Sequence, residues 1–137
     1  MKLKTGEIIE IYSALLQLDG ESISAKNNGA DVVIKKPFKF SGKTRWNLAK
    51  DITILKKHSE KFNETRDNFI KSLSGGSNQI DQSDKTKLVE FQEQVNAELQ
   101  KVEDVEGVLK IKIDELKLDE NAISSNILSA ISLILEE

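Results

Sequence analysis

The chain has 137 residues, a formal net charge of −3, a single histidine and no cysteine. These values predict one domain with a modest core, and they exclude disulfides, thiolate metal sites and histidine-rich metal sites. The charge is unevenly divided, because residues 84–137 sum to −7 and residues 1–83 therefore sum to +4. Such asymmetry bears on surface fields and partners rather than on the fold.

The first predicted element is a helix at residues 6–18. Isoleucine, tyrosine and leucine side chains give it a broad apolar face, with Thr5 as the expected N-cap and Gly20 as the expected end. Acidic residues interrupt the apolar stretch and no small-residue cleavage site follows, so we do not expect a signal peptide. Residues 19–31 are rich in turn-forming residues and predict a loop.

Residues 32–40 predict a strand, which Pro37 breaks or restricts to a sheet edge because proline cannot donate to a ladder. A long helix is predicted at 44–73, capped by Ser41 or Thr44. Its apolar residues recur every 3.5 positions, as in a coiled coil, and about 30 residues span roughly 45 Å. The seam residues are Leu48, Ile52, Leu55, Ser59, Phe62, Arg66, Phe69 and Leu73.

A polar connection at 72–84 leads into a third predicted helix at 84–103. Two amphipathic helices joined by a short loop predict an antiparallel hairpin. Apolar residues alternating with lysine predict a strand at 105–113. Since the chain enters and leaves the hairpin at the same end, we expect the strands 32–40 and 105–113 to pair antiparallel at that open end.

Residues 123–135 predict a final helix without charges, too short and too rich in serine to span a bilayer. Ile127, Ile131 and Ile134 lie on one face of this helix. That face either packs against the base of the hairpin or contacts another subunit, and it is retained as a candidate interaction surface.

One short motif suggests phosphate chemistry. Ser41-Gly42-Lys43-Thr44 matches the end of the phosphate-binding pattern G-x-x-x-x-G-K-[ST]. The first glycine of that pattern would fall at position 37, where proline removes the N–H group and the backbone freedom that the loop needs. No βαβ pattern follows, so we do not expect a nucleotide-hydrolysing P-loop.

Six basic residues and no acid lie between Asp31 and Asp51, with aromatic residues interleaved among them. One interpretation is phosphate binding at a helix N-terminus, or single-stranded nucleic-acid binding by charge and base stacking. The other is a solvated lysine face above core aromatics. The candidate binding residues are Lys35, Lys36, Lys39, Lys43, Arg45 and Trp46.

No arrangement of acid, base and nucleophile is evident along the chain. His58 has no cysteine or second histidine to join it, so we expect it to have a surface role. No metal-loop spacing is present either. We therefore expect no enzyme activity, no metal site and no cofactor.

The stretch KPFKFSGKTRWNLAKDITILKKHSEKFNETRDNFI resembles small tailed-phage and prophage proteins grouped as a domain of unknown function. VLKIKIDEL and NILSAISLILEE resemble the lysine-alternating strand and the closing apolar helix of those proteins. The resemblance covers roughly residues 34–135 and carries over no catalytic residue. It implies a bacteriophage origin and a small, non-enzymatic viral protein of the host cytoplasm.

These patterns predict a mainly helical α+β fold of order α-β-α-α-β-α, with a long antiparallel helical hairpin and a two-stranded ribbon at its open end. The expected function is that of a non-catalytic accessory protein that binds a host or phage protein, and homo-oligomerisation is left open as a further option. The alternative function is a phosphate-directed binder of nucleic acid or a nucleotide signal through residues 35–50. No membrane partner is expected.

Overall fold

The computed structural model describes residues 1–19, 23–27, 30–34 and 38–137, with the backbone alone for 23–27 and 30–34. The fold is α+β and mainly helical, as the sequence predicts. Its elements in chain order are β1 (Lys2–Lys4), α1 (Thr5–Leu18), β2 (Ile23–Asn27), β3 (Ala30–Ile34), α2 (Gly42–Leu73), α3 (Lys85–Gln100), β4 (Val102–Asp104), β5 (Ile111–Lys112), a 3₁₀ turn (Ile113–Leu116), α4 (Ser125–Ala130), a second 3₁₀ turn (Ser132–Ile134) and β6 (Leu135–Glu136).

Helix α2 is the longest of these elements, with 32 residues against the predicted 44–73. Ser41 is its N-cap, because its Oγ accepts a hydrogen bond from the Thr44 N–H at 3.2 Å. The helix ends at Leu73, and the chain then turns away through Gly75 and Gly76, whose φ angles of 69° and 98° favour glycine. The Gly76 N–H donates back into the last turn at 2.8 Å, which satisfies a carbonyl that the helix itself leaves free.

The core surrounds the first half of α2. Helix α1, predicted at 6–18, packs along this half. Its apolar face is buried together with the first α2 seam residues, and segments 105–116 and 121–135 close the remaining sides. The core side chains are Leu3, Ile8, Ile11, Ala14, Leu15, Leu18, Phe40, Leu48, Leu55, Val105, Ile111, Leu116, Ile127, Ile131 and Ile134.

Helix α3 packs beside only the second half of α2. Its 16 residues span about 24 Å, against about 48 Å for α2. The chain therefore leaves α3 beside the middle of α2, where Glu103 of β4 contacts His58 and Lys61. Beyond this point the two helices form a projection, named here the distal hairpin (residues 63–100).

The strands pair differently from the prediction. β1 pairs antiparallel with β4, β2 pairs antiparallel with β3, and β5 pairs parallel with β6. An antiparallel ribbon does lie where α3 ends, but residues 2–4 and 102–104 form it. The predicted pairing of 32–40 with 105–113 is wrong, because α3 is too short to return the chain to the start of α2.

The strand boundaries also differ. Residues 23–27, predicted within a loop, form β2, while 38–40 are not a strand and 35–37 lie outside the described residues. Within 105–113 only Ile111–Lys112 is a strand. The Leu109 N–H donates to the Asp51 Oδ1 at 2.7 Å, so this stretch is attached to α2 rather than to a neighbouring strand.

The predicted C-terminal helix 123–135 is wrong in length. Helix α4 has 6 residues and is followed by a 3₁₀ turn and then by β6. Ser124 caps α4 by accepting the Ile127 N–H at 3.3 Å. Serine and β-branched isoleucine are only moderate helix formers, and the parallel pairing of Leu135 with Ile111 draws the last residues into an extended conformation.

Candidate functional site

The basic candidates before α2 have different surroundings. Lys35 and Lys36 lie outside the described residues, whereas Lys39 and Lys43 are exposed. The Arg45 guanidinium donates from Nη2 to the Phe38 carbonyl at 2.6 Å. This bond holds the segment that precedes α2 against the first turn of the helix. The structure thus gives Arg45 a structural contact and leaves Lys39 and Lys43 facing solvent.

Asn121 also holds the segment that precedes α2, through the backbone of Lys39. Its Oδ1 accepts the Lys39 N–H at 2.7 Å, and its Nδ2 donates to the carbonyls of Lys39 and Leu116 at 2.9 Å each. The side chain is buried and every polar atom of its amide is used. Asn121 therefore fixes the segment that enters α2 against the C-terminal part of the chain.

The P-loop-like motif cannot act as a P-loop in this fold. Thr44 is 1% exposed, and its hydroxyl lies 2.9 Å from the Ser41 Oγ. In a P-loop that hydroxyl must reach a magnesium ion. Here Ser41 caps the helix and the Thr44 hydroxyl is engaged with the Ser41 hydroxyl inside the fold.

The aromatic candidates separate into core and surface residues. Phe40 is buried and stacks on Phe38 with ring centroids 5.9 Å apart. Trp46 is 62% exposed, and the Lys50 ammonium lies 5.4 Å from its ring centroid. The interpretation of the aromatics as core residues is thus right for Phe40 and wrong for Trp46.

Trp46 belongs to a line of exposed side chains, named here the outer stripe: Lys43, Trp46, Lys50 and Lys57 of α2. At about 100° per residue all four lie within about 60° of one another around the helix axis. The fully buried Leu55 lies about 180° from Trp46 on the same helix. The outer stripe is therefore the face of α2 that points directly away from the core.

Asp51 is the only acid of the first half of α2, and it faces inward with no exposed surface. Its Oδ1 accepts the Leu109 N–H, while its Oδ2 has no hydrogen-bond partner. Burial raises the pKa of this carboxyl from 3.8 to about 6, against the lowering effects of the Leu109 bond and of Lys50. A buried carboxylate therefore anchors the 105–110 segment.

His58 is half-buried rather than a free surface residue. Its Nδ1 lies 2.9 Å from the Glu103 Oε2, and the Lys61 ammonium lies 3.4 Å from the Oε1 of the same glutamate. Glu103 is the middle residue of β4, which pairs with β1. These contacts tie the β1–β4 ribbon to α2, where the core ends and the distal hairpin begins.

The two helices of the distal hairpin meet along a line of apolar side chains, named here the hairpin seam, which few other residues cover. The side chains of this seam are half-buried, and helix α3 has no buried residue at all. An open pocket of about 350 Å³ lies near the tip between the helices. The seam consists of Phe69, Ile70, Leu73, Leu88, Phe91, Val95 and Leu99.

The C-terminal candidate surface is core. Ile127 is 9% exposed, and Ile131 and Ile134 have no exposed surface. The predicted interaction surface at these residues is wrong, because they fill the space between α1, α2 and the 105–116 segment. Their neighbour Leu133 is 45% exposed and faces the other way.

Comparisons with protein-family models, with curated proteins and with solved structures give no match to this chain. Within the part of the chain that the structure describes, no cluster of acidic or histidine side chains is arranged to hold a metal ion. No helix within the same residues has both the length and the apolar character of a membrane crossing.

Proposed function

We propose that the chain is a non-catalytic accessory protein that acts through protein–protein contact, with the seam of the distal hairpin as its contact surface. One observation carries this proposal. Between Phe62 and Val105, Ile80 is the single hydrophobic residue that is buried, although seven apolar side chains line the seam. The resemblance to small tailed-phage proteins supports a phage setting for this contact.

The physical reason is the cost of leaving such a hairpin uncovered. A helix of 16 residues is only marginally stable alone in water, and most helical stability in proteins comes from packing an apolar face. Two helices in contact bury only the inner edge of that face. A further helix laid along the seam would remove the outer edges of Phe69, Phe91 and Val95 from water, at about 25 cal/mol per Å².

The partner that fits best is a second copy of the chain. Both lysines of α3, Lys85 and Lys87, lie in its first turn, and its three glutamates follow at Glu90, Glu93 and Glu98. Two copies of α3 laid antiparallel would bring the lysine end of each toward the glutamate end of the other, whereas a parallel arrangement would place like charges together. Two hairpins packed seam to seam would form an antiparallel four-helix bundle.

The solution mass tests this proposal. Light scattering over a range of protein concentrations is expected to give twice the monomer mass of 15.4 kDa. Val95→Glu places a charge in the seam and is expected to give monomers. Gln94→Glu, which adds the same charge at the exposed neighbouring position, is expected to leave the dimer intact.

Hydrogen exchange of the α3 amides separates the possible failures. A monomer whose α3 amides exchange fast would mean that the seam is open but that the partner is a different protein. A monomer with well-protected α3 amides would mean that the seam needs no cover, and the proposed function would be wrong. A dimer that survives Val95→Glu would place the contact elsewhere.

A further inference from the structure

The outer stripe of α2 concentrates positive charge on one exposed face. Lys43 and Lys57 are 14 positions apart, with Lys50 midway, so the three lysines extend along about 21 Å of helix. The one acid in the same interval is Asp51, which is fully buried and lies about 100° from Lys50 around the helix axis. Between Lys43 and Lys57, α2 therefore carries no exposed acid beside the lysines of the stripe.

The stripe has a defined end. The next acid along α2 is Glu60, whose Oε1 lies 3.9 Å from the Lys56 ammonium. Most of the acidic residues of the chain come later, in residues 84–137. The basic surface is thus a local feature in a chain whose net charge is −3.

Trp46 adds a second, independent indication. An indole that is 62% exposed leaves a large aromatic surface in water, and such a surface can stack on a planar ligand. A shallow surface pocket lies beside it, lined also by Ala49, Thr53 and Ile54. The Lys50 ammonium lies over one face of the ring, 5.4 Å from its centroid, so a stacking ligand would use the other face or displace this side chain.

The geometry points to single-stranded nucleic acid as the ligand of the outer stripe. The three lysines neutralise phosphates of the backbone, and the Trp46 indole stacks on an unpaired base near Lys43 and Lys50. This site is separate from the distal hairpin, since no residue of the stripe belongs to the seam. The proposal of nucleic-acid binding is therefore tested independently of the proposed protein contact.

Two other ligands fit the stripe less well. An acidic polypeptide would satisfy the lysines but would gain nothing from a planar stacking partner. Duplex DNA would also satisfy the lysines, but its paired and stacked bases offer no free face to Trp46. The exposed indole is the observation that favours an unpaired strand.

Trp46 is the one tryptophan of the chain, so its fluorescence reports on this site alone. Titration with an oligothymidylate of about 12 nucleotides is expected to quench it at low salt. Three phosphate contacts predict that the logarithm of the binding constant falls with the logarithm of salt concentration with a slope of about −2. Polyglutamate and a duplex of matched length serve as competing probes.

Variants assign the binding to the stripe. Anisotropy of a labelled strand is expected to show about 5- to 150-fold weaker binding for Trp46→Ala. Lys50→Ala is expected to make the salt slope less steep by about 0.7, whereas Lys112→Ala, at an exposed lysine outside the stripe, is expected to change neither quantity.

Three results would overturn the inference. The first is no binding of the single strand at low salt. The second is equal or tighter binding of polyglutamate or of the duplex. The third is binding of the strand that Trp46→Ala leaves unchanged, which would show that the indole does not stack.

Discussion

Replacing Asp51 with asparagine is expected to change the way stability depends on pH. The carboxyl has no exposed surface and one oxygen without a hydrogen-bond partner, and its pKa rises from 3.8 to about 6 in the fold. The folded state therefore holds this proton more tightly than the unfolded chain does. Stability from this group is present below about pH 4 and is lost as the pH rises through 6.

The magnitude follows from the size of the shift. A rise from 3.8 to about 6 corresponds to about 3 kcal/mol between the fully protonated and the fully ionised limits. Between about pH 4.5 and about pH 7.5 the expected loss from this group is about 2 kcal/mol. The amide side chain of the Asp51→Asn variant would still accept the Leu109 N–H through its carbonyl oxygen, but it would not ionise.

Urea unfolding of the wild type and of Asp51→Asn at both pH values provides the measurement. The free energy of unfolding of the wild type, minus that of the variant, is expected to fall by about 2 kcal/mol as the pH rises. Asp119→Asn, at an exposed acid, is the control and should follow the wild type. Parallel curves for the wild type and Asp51→Asn would refute the reasoning, because they would show that burial does not perturb the Asp51 carboxyl.

Three further predictions concern the packing. Asn121→Ala, which breaks three hydrogen bonds of a buried amide, is expected to cost about 2 kcal/mol or more in urea unfolding, while exposed Asn126→Ala should stay within about 0.5 kcal/mol of the wild type. Ile131→Ala is expected to cost about 2–5 kcal/mol and Leu133→Ala much less, and equal effects would contradict the burial of the C-terminal face. Ser41→Ala is expected to cost about 1 kcal/mol through the lost cap of α2, an effect that circular dichroism during thermal unfolding would detect as a lower melting temperature.

The helical part of the fold could be predicted because its signals are local. The 3.5-residue spacing from Leu48 to Leu73 reports the buried face of α2 directly, and Ser41 and the Gly75-Gly76 pair mark its two ends. The pairing of β2 with β3 also had a local sequence signal, which the interpretation of residues 19–31 as a loop missed. Asn-Gly is a strong hairpin signal, and Asn28-Gly29 stands between Asn27 and Ala30, the facing residues at the end of the two strands.

The remaining errors came from contacts between residues far apart in the chain. Lys2-Leu3-Lys4 is too short to be recognised as a strand until residues 102–104 lie beside it. Helical periodicity predicts that the Asp51 side chain lies on the buried side of α2. It does not predict that Leu109 is its hydrogen-bond partner. Asn121 looks like an ordinary loop residue in the sequence, because its two partner segments are brought to it only by the complete fold.

The candidate surfaces show the same limit. The basic and aromatic composition of residues 35–50 was visible in the sequence, but composition does not distinguish buried Phe40 from exposed Trp46. Helical counting from Trp46 does place Lys50 and Lys57 on its face, so the outer stripe was accessible once α2 was known to begin at Gly42. The apolar C-terminal face was correctly located, but its burial depended on α1 and the 105–116 segment.

The distant contacts of the core have a consequence for how the chain folds. Helical proteins usually fold fast because their contacts are local. Here the Asp51–Leu109 bond joins residues 58 positions apart, the Lys39–Asn121 bond spans 82 and the Met1–Val105 bond spans 104. We expect folding that is slower than the helix content suggests. During synthesis α1 and α2 are made before Ile131 and Ile134, so the core cannot close until that later segment has also left the ribosome.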